Sequence, residues 1–483
     1  MGVLENCKPA DVFGYFETIC GIPHGSWNEK ALSDHIKSWA EGLGLEVHQD
    51  AIYNLIIKKS GTTGYENVPA IILQAHIDMV CEKNNDVEFD FENQGLNIYI
   101  DGDFVKARGT TLGGDNGVAV AMIMAVLADS AAVHPPLEVV LTTVEEVGMD
   151  GALAIDASLL TAKTMLNIDN SDEGIFITGC AGGAKIKTHL PIQKMDLPSG
   201  EHCAFTVFVG GLQGGHSGID IHLERGNSNK LLGRALSEIQ VPFYIADITG
   251  GSKDNAIPRE AGAKIFVNSE HADALAMELA AIEYAIKKEL KTADGGVFVR
   301  LDKENCVGEK VFDAETQSKT IAMLMLMPSG VQHMSADMPG LVEASNNLGV
   351  VRIVNNNVVF TCAVRSSVES RKWAVFNKIK MLGEVLGAKV VITGNYPGWE
   401  YSPKSPIRDM FVDVWTNKFG QPPKVMAVHA GLECGVFASK IPGLDMISFG
   451  PDMFGLHTPD ERVSISSVER CHEFFKEVLK RMK

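Results

Sequence analysis

Residues 70–80 read AIILQAHIDMV, an apolar run that closes on His76, Ile77 and Asp78. A short continuous apolar stretch that ends in polar residues is the pattern of a strand buried on both faces, as in the parallel sheets of α/β proteins. Positions i and i+2 of a strand share a face, so His76 and Asp78 emerge together where the run stops. Asp78 can then hold the His76 ring. A carboxylate on one imidazole nitrogen fixes the tautomer and raises the basicity of the other, as metal-binding histidines generally require.

Other segments repeat the design on either side. TMLNIDNSDEG carries Asp169 just past an apolar strand, and LEVVLTTVEEVGMDG runs out into the adjacent Glu145 and Glu146. Two like charges at a strand end are costly to bury unless cations compensate them. GTTLGGDNGVAVAMIM delivers Asp115 from a glycine-rich loop to the head of an apolar helix, and DMISFGPDMFGLHTPDE puts His457 on a loop after a strand. Singly, each has an ordinary reading as a turn, cap or hydrogen-bonded residue. As a set they gather at the carboxyl ends of the strands, where open α/β sheets bind ligands. His76, Asp115, the Glu145–Glu146 pair, Asp169 and His457 supply oxygen and imidazole without thiolate. That donor set suits two divalent metal ions, zinc first, with manganese or cobalt as alternatives.

At 483 residues the chain exceeds the ~250–300 at which one hydrophobic core stops growing, so at least two cores are expected. The expected fold class is α/β. Residues 1–185 and 395–483 alternate helix and strand patterns and predict a discontinuous catalytic domain, a mixed sheet in an α/β/α sandwich. Residues 186–394 change texture, with strands at FTVFVGG, AKIFVN, VFVRL, VVRIV and VVFTCAV and two long helix patterns. They predict an inserted α+β lid of two ferredoxin-like halves.

The formal charge of −18 is spread along the chain, which argues against nucleic acid or an anionic membrane as partner. Nine cysteines, Cys306 among them, make an odd count without a CxxC pair. This disfavours a disulfide framework and a cysteine-ligated zinc. The start, MGVLENCKPADVF, lacks the pattern of an export signal, and the apolar stretch Val118–Ala128 is too short for a membrane span. A cytoplasmic protein is expected.

HID, GGDNG, VEEVG, NID and HTPDE, in this order, resemble the signature segments of the dinuclear zinc family that holds carboxypeptidase G, aminoacylase, tripeptidase and the dipeptidases. With GGHSG, NAIPRE and HAGLECG, the resemblance runs over essentially the whole chain. It implies that His76 and Asp169 bind one metal, Glu146 and His457 the other, and that Asp115 bridges them. It further implies Glu145 as general base, Asp78 as the group that orients His76, His216 as donor to the oxyanion and Arg365 as the binder of the peptide carboxylate. Asn255 and Glu433 are further candidates for substrate binding, with a capping or turn role as the alternative reading. Aspartate rather than glutamate at position 169 tilts the expectation towards unblocked dipeptides, Xaa-His included, with a homodimer as the assembly. The alternative is an N-acyl amino acid deacylase of the same family. A non-catalytic scaffold is disfavoured, since every expected ligand and the base are present.

Overall fold

The computed structural model describes residues 2–305 and 310–483. The chain divides into two compact units, the first of Met1–Gly179, Tyr401–Ala427 and Leu432–Lys483, the second of Cys180–Glu400 and Val428–Gly431. Val428–Gly431 returns to the second unit from within the C-terminal part of the first.

The first unit is built on an eight-stranded mixed sheet, in the order Glu46–Gln49, Leu55–Lys59, Leu137–Thr142, Ile71–His76, Thr164–Asn167, Asp445–Ser448, Ile175–Cys180 and Lys424–Val428. The strands Leu137–Thr142, Ile71–His76, Thr164–Asn167 and Asp445–Ser448 run parallel to one another. Every residue of Ile71–His76 and of Leu137–Thr142 is buried. That follows from their largely apolar character, because a strand covered on both faces has no solvent side to mark with polar residues; the exceptions, Gln74, His76, Glu138 and Thr142, are hydrogen-bonded. The helix Gly114–Ala128 is buried from Asn116 to Leu127 and packs between the helix Ala10–Cys20 and the sheet. Phe176, Phe411, Trp415 and Phe474 close the core at edge-to-face and stacked geometries, with ring centroids 5.2–5.6 Å apart.

The second unit carries a nine-stranded sheet whose pairs are all antiparallel. Phe298–Glu304, His202–Gly210, Ala261–Asn268 and Phe243–Gly250 form one half. Gly330–Met334, Val342–Val354, Asn357–Ser366, Gly182–Pro191 and Lys389–Tyr396 form the other. In the sheet ladder the halves pair at Thr249↔Arg352 and Gly250↔Val351. Burial alternates along Gly182–Pro191, as it must when helices cover one face only.

Some local differences from the sequence expectation have simple causes. Glu145 and Glu146 do not extend a strand; they open a one-turn helix, Glu145–Gly148, after Val144 takes a left-handed φ of 56°. Asp115 stands at the head of its helix as expected, but the backbone there is kinked, with Asp115 (φ −83°, ψ 101°) and Asn116 (φ −118°, ψ 21°) outside helical geometry. None of the described cysteines forms a disulfide, and Cys306 lies outside the described residues. Among the described residues no helix is long and apolar enough to cross a membrane.

Candidate metal centre

Three neighbouring parallel strands end at one edge of the first sheet. His76 is the last residue of its strand and pairs with Thr142, three residues before Glu145. Gln74 pairs with Asn167, two residues before Asp169. Parallel register therefore lines up His76, the Glu145–Glu146 turn and Asp169 side by side. Asn116 ties this edge together: its Oδ1 accepts from the His76 N–H at 3.2 Å and its Nδ2 donates to Ile168 O at 2.7 Å.

Asp115 lies between two imidazoles. Its Oδ1 is 3.2 Å from His76 Nε2 and its Oδ2 is 3.5 Å from His457 Nε2. Asp169 Oδ1 stands 3.7 Å from His76 Nε2, and Glu146 Oε1 stands 3.1 Å from His457 Nε2. His76, Asp115 and Glu146 each offer a ligand atom within 4.8 Å of the others. Glu146 Oε1 is buried, with His457 Nε2 as its polar neighbour. Such an oxygen, facing an imidazole across from a shared carboxylate, fits a divalent cation.

The electrostatics point the same way. Burial alone would lower the pKa of His76, but bonds to Asp115, Asp169 and Asp78 raise it well above the ordinary value. Bonds to Asp115 and Glu146 lift His457 to about 10. Burial drives Asp169 up to about 6 and raises Glu145 well above the carboxylate range. Asp115 is pushed up by burial, yet its bonds to His457 and His76 prevail and hold it low. Without cations, protons must compensate a cluster this rich in carboxylates.

The turn bearing Glu145 is held by internal carboxylates. The N–H groups of Val144, Glu145 and Glu146 donate to Glu29 Oε1 at 3.0 Å, Asp78 Oδ1 at 3.0 Å and Asp78 Oδ2 at 3.2 Å. They help offset the left-handed backbone of β-branched Val144, a strain of about 1–3 kcal/mol. His76 Nδ1 lies nearer the backbone carbonyl of Asp78, at 3.1 Å, than its carboxylate, at 3.4 Å. Asp78 thus touches His76 and the N–H groups of both glutamates. Glu433 is fully buried one layer below, its Oε2 accepting from Gln74 Nε2 at 2.5 Å and Thr142 Oγ1 at 2.6 Å. Burial raises it to about 8.

His216, Asn255 and Arg365 belong to the second unit. Gly215–His216 pairs with Ala256–Ile257 as a two-residue ladder rather than lying in open loop. His216 and Asn255 both line a cavity of about 880 Å³. His216 Nδ1 accepts from the N–H groups of Gly218 at 3.2 Å and Ile219 at 3.0 Å. Burial and the Arg365 charge lower its pKa. A neutral ring that accepts at Nδ1 must carry its proton on Nε2, which makes Nε2 a donor. Arg365 donates to Tyr396 Oη at 3.3 Å and leaves its buried Nε without a partner.

Sequence reasoning passed over Glu29 and the polar layer of Gln74, Thr142 and Asn167. Glu29 carries no local signal, because its partner lies 115 positions away. It also passed over Glu461, although that residue stands inside the HTPDE segment.

Comparison with known proteins agrees with the geometry. The chain is 40% identical over 483 residues to the cytosol non-specific dipeptidase of Escherichia coli (strain K12), covering 99% of both. Its structure matches that of aminoacylhistidine dipeptidase from Vibrio alginolyticus with a TM-score of 0.91 and 38% identity, over 99% of this chain and 97% of that one. Aminopeptidase PepT from Bacillus cereus shares the fold, with a TM-score of 0.57 at 14% identity over 99% of both chains. The description of peptidase family M20/M25/M40 fits residues 72–481, and with a carboxylate held between two imidazoles at the sheet edge, the chain belongs to that peptidase family.

Proposed function

We propose that the protein is a metal-dependent dipeptidase acting on unblocked dipeptides, Xaa-His among them. The observation that carries this reading is Asp115, whose two oxygens face His76 and His457 at 3.2 and 3.5 Å. The relatives named as dipeptidases support the substrate class. His76, Asp115 and Asp169 would hold one divalent ion, and Asp115, Glu146 and His457 the other, with zinc as the native metal. Bound there, the ions would polarise the scissile carbonyl and lower the pKa of a shared water.

The chain's own groups do the rest. Glu145 takes the proton of the attacking water and passes it to the leaving amine, a role served by a carboxyl group whose pKa is raised by burial. Asp78 keeps the His76 ring and the Glu145 turn in place. His216 Nε2–H donates to the developing oxyanion, and the Arg365 guanidinium pairs with the peptide carboxylate. Asn255 and Glu433 contribute to substrate binding. The second unit serves as lid and dimer contact of a cytoplasmic homodimer.

The test is a panel of unblocked dipeptides, tripeptides and N-acetylated dipeptides assayed on the metal-reconstituted protein, beside Glu145→Ala. Unblocked dipeptides should be cleaved fastest. The variant should bind metal normally and lose about 10²–10⁴ in turnover. Preference for acetylated substrates would make the protein a deacylase, and full activity after exhaustive chelation would end the metal mechanism.

A further inference from the structure

One carboxylate in the first unit collects four consecutive backbone N–H groups. Glu461 Oε2 accepts from Leu112 at 2.7 Å and Gly113 at 3.1 Å, while Oε1 accepts from Gly114 at 2.8 Å and Asp115 at 3.3 Å. The residue is only 3% exposed. These donors belong to the loop that leads into the helix Gly114–Ala128, where Asp115 and Asn116 depart from helical φ/ψ and the N–H groups lack intrahelical partners. Glycines keep the approach open: Gly113 has a φ of +65°, and a Cβ on Gly114 would strike Val463 Cγ2.

Glu461 follows His457 by four positions. One short loop therefore supplies both His457 Nε2, 3.5 Å from Asp115 Oδ2, and the acceptor for the Asp115 N–H at 3.3 Å. Asp115 faces both histidines. Whatever fixes its backbone fixes both halves of the centre at once.

We propose that Glu461 is a positioning residue that locks Asp115 to the His457 loop, so that the two metal positions are kept or lost together. The inference rests on reading Asp115 and His457 as metal ligands. Glutamine cannot replace Glu461, because it offers one acceptor oxygen and turns an NH₂ group towards backbone donors. Loss of a group that orients metal ligands costs about 10–100-fold in metal affinity or activity.

The experiment titrates zinc into the metal-stripped full-length chain by calorimetry, for the wild type, Glu461→Gln and Glu138→Gln. Glu138 is a buried-carboxylate control, 4% exposed and accepting from the N–H groups of Thr161 and Ala162. It sits near the other end of the strand that leads to Glu145. The wild type should take up two ions. Glu461→Gln should bind both about 10–100-fold more weakly, with kcat reduced at saturating zinc and KM changed by less than about two-fold. Glu138→Gln should melt earlier yet keep both affinities. Weakening of one ion alone, or no difference between the two variants, overturns the proposal. A wild type that binds fewer than two ions refutes the ligand assignment beneath it, and the proposal with it. Should Glu461→Gln not fold, Glu461→Asp is titrated instead. If both fail to fold with zinc present while Glu138→Gln folds, Glu461 supports the fold rather than the centre, and the proposal falls.

Discussion

Replacing Asp78 with asparagine changes one atom and should disable the centre without emptying it. Asp78 Oδ1 accepts from the Glu145 N–H at 3.0 Å, and Oδ2 accepts from the Glu146 N–H at 3.2 Å and from Ser26 Oγ at 2.8 Å. Asparagine keeps the shape but has a single acceptor oxygen, so one of the two backbone donors must face an NH₂ group. Leaving a buried donor unsatisfied costs about 1–3 kcal/mol. Because 1.36 kcal/mol is a factor of ten in rate, a cost borne by the Glu145 turn predicts a fall of about 5–150-fold in kcat/KM. Steady-state kinetics with a good unblocked dipeptide, run at saturating zinc beside a thermal melt, measures both effects. Asp78→Asn with a kcat/KM within about two-fold of wild type would show that the turn holds its geometry without the carboxylate, and the reasoning would fail.

Other expectations follow from the same contacts. His216→Asn keeps an acceptor near the position of Nδ1 for the Gly218 and Ile219 N–H groups but removes the Nε2 donor. It should lower kcat by about 10²–10³ with little change in melting temperature; an unchanged kcat would remove His216 from oxyanion binding. Arg365→Lys exchanges a planar fork for a point charge and should raise KM more than it lowers kcat, with the larger penalty for substrates bearing a free carboxylate than for their amides. Equal penalties would detach Arg365 from the carboxylate. Burial holds His472 at about 4 in the folded chain, against about 6.5 when unfolded. The unfolded chain therefore binds the extra proton first, and this contribution is intact above about pH 6.5 and erodes as pH falls towards about 4. Urea unfolding of the metal-free chain at pH 7 and pH 5 should show a smaller acid loss for His472→Gln; equal losses would exclude this group.

The strands that carry the site were legible because their chemistry is local. A run such as AIILQAHIDMV reads as a doubly covered strand that stops at polar residues, and AVAMIMAVLA after the glycine-rich loop reads as an enclosed helix. The mixed α/β sheet, the change of texture in the middle of the chain and the five segments that carry the candidate site could all be read from periodicity and residue type. What the sequence alone could not decide is how those segments are held. The bonds from Glu461 to residues 112–115 and from Glu29 to Val144 span 346–349 and 115 positions. A carboxylate's partner is set by which backbone donors the fold leaves unpaired beside it, and no local pattern records that. The Nε2–H form of His216 has the same origin, because only the folded loop turns two N–H groups onto Nδ1. Residue types determined the donor set; tertiary structure decided which atoms of those residues are free to act.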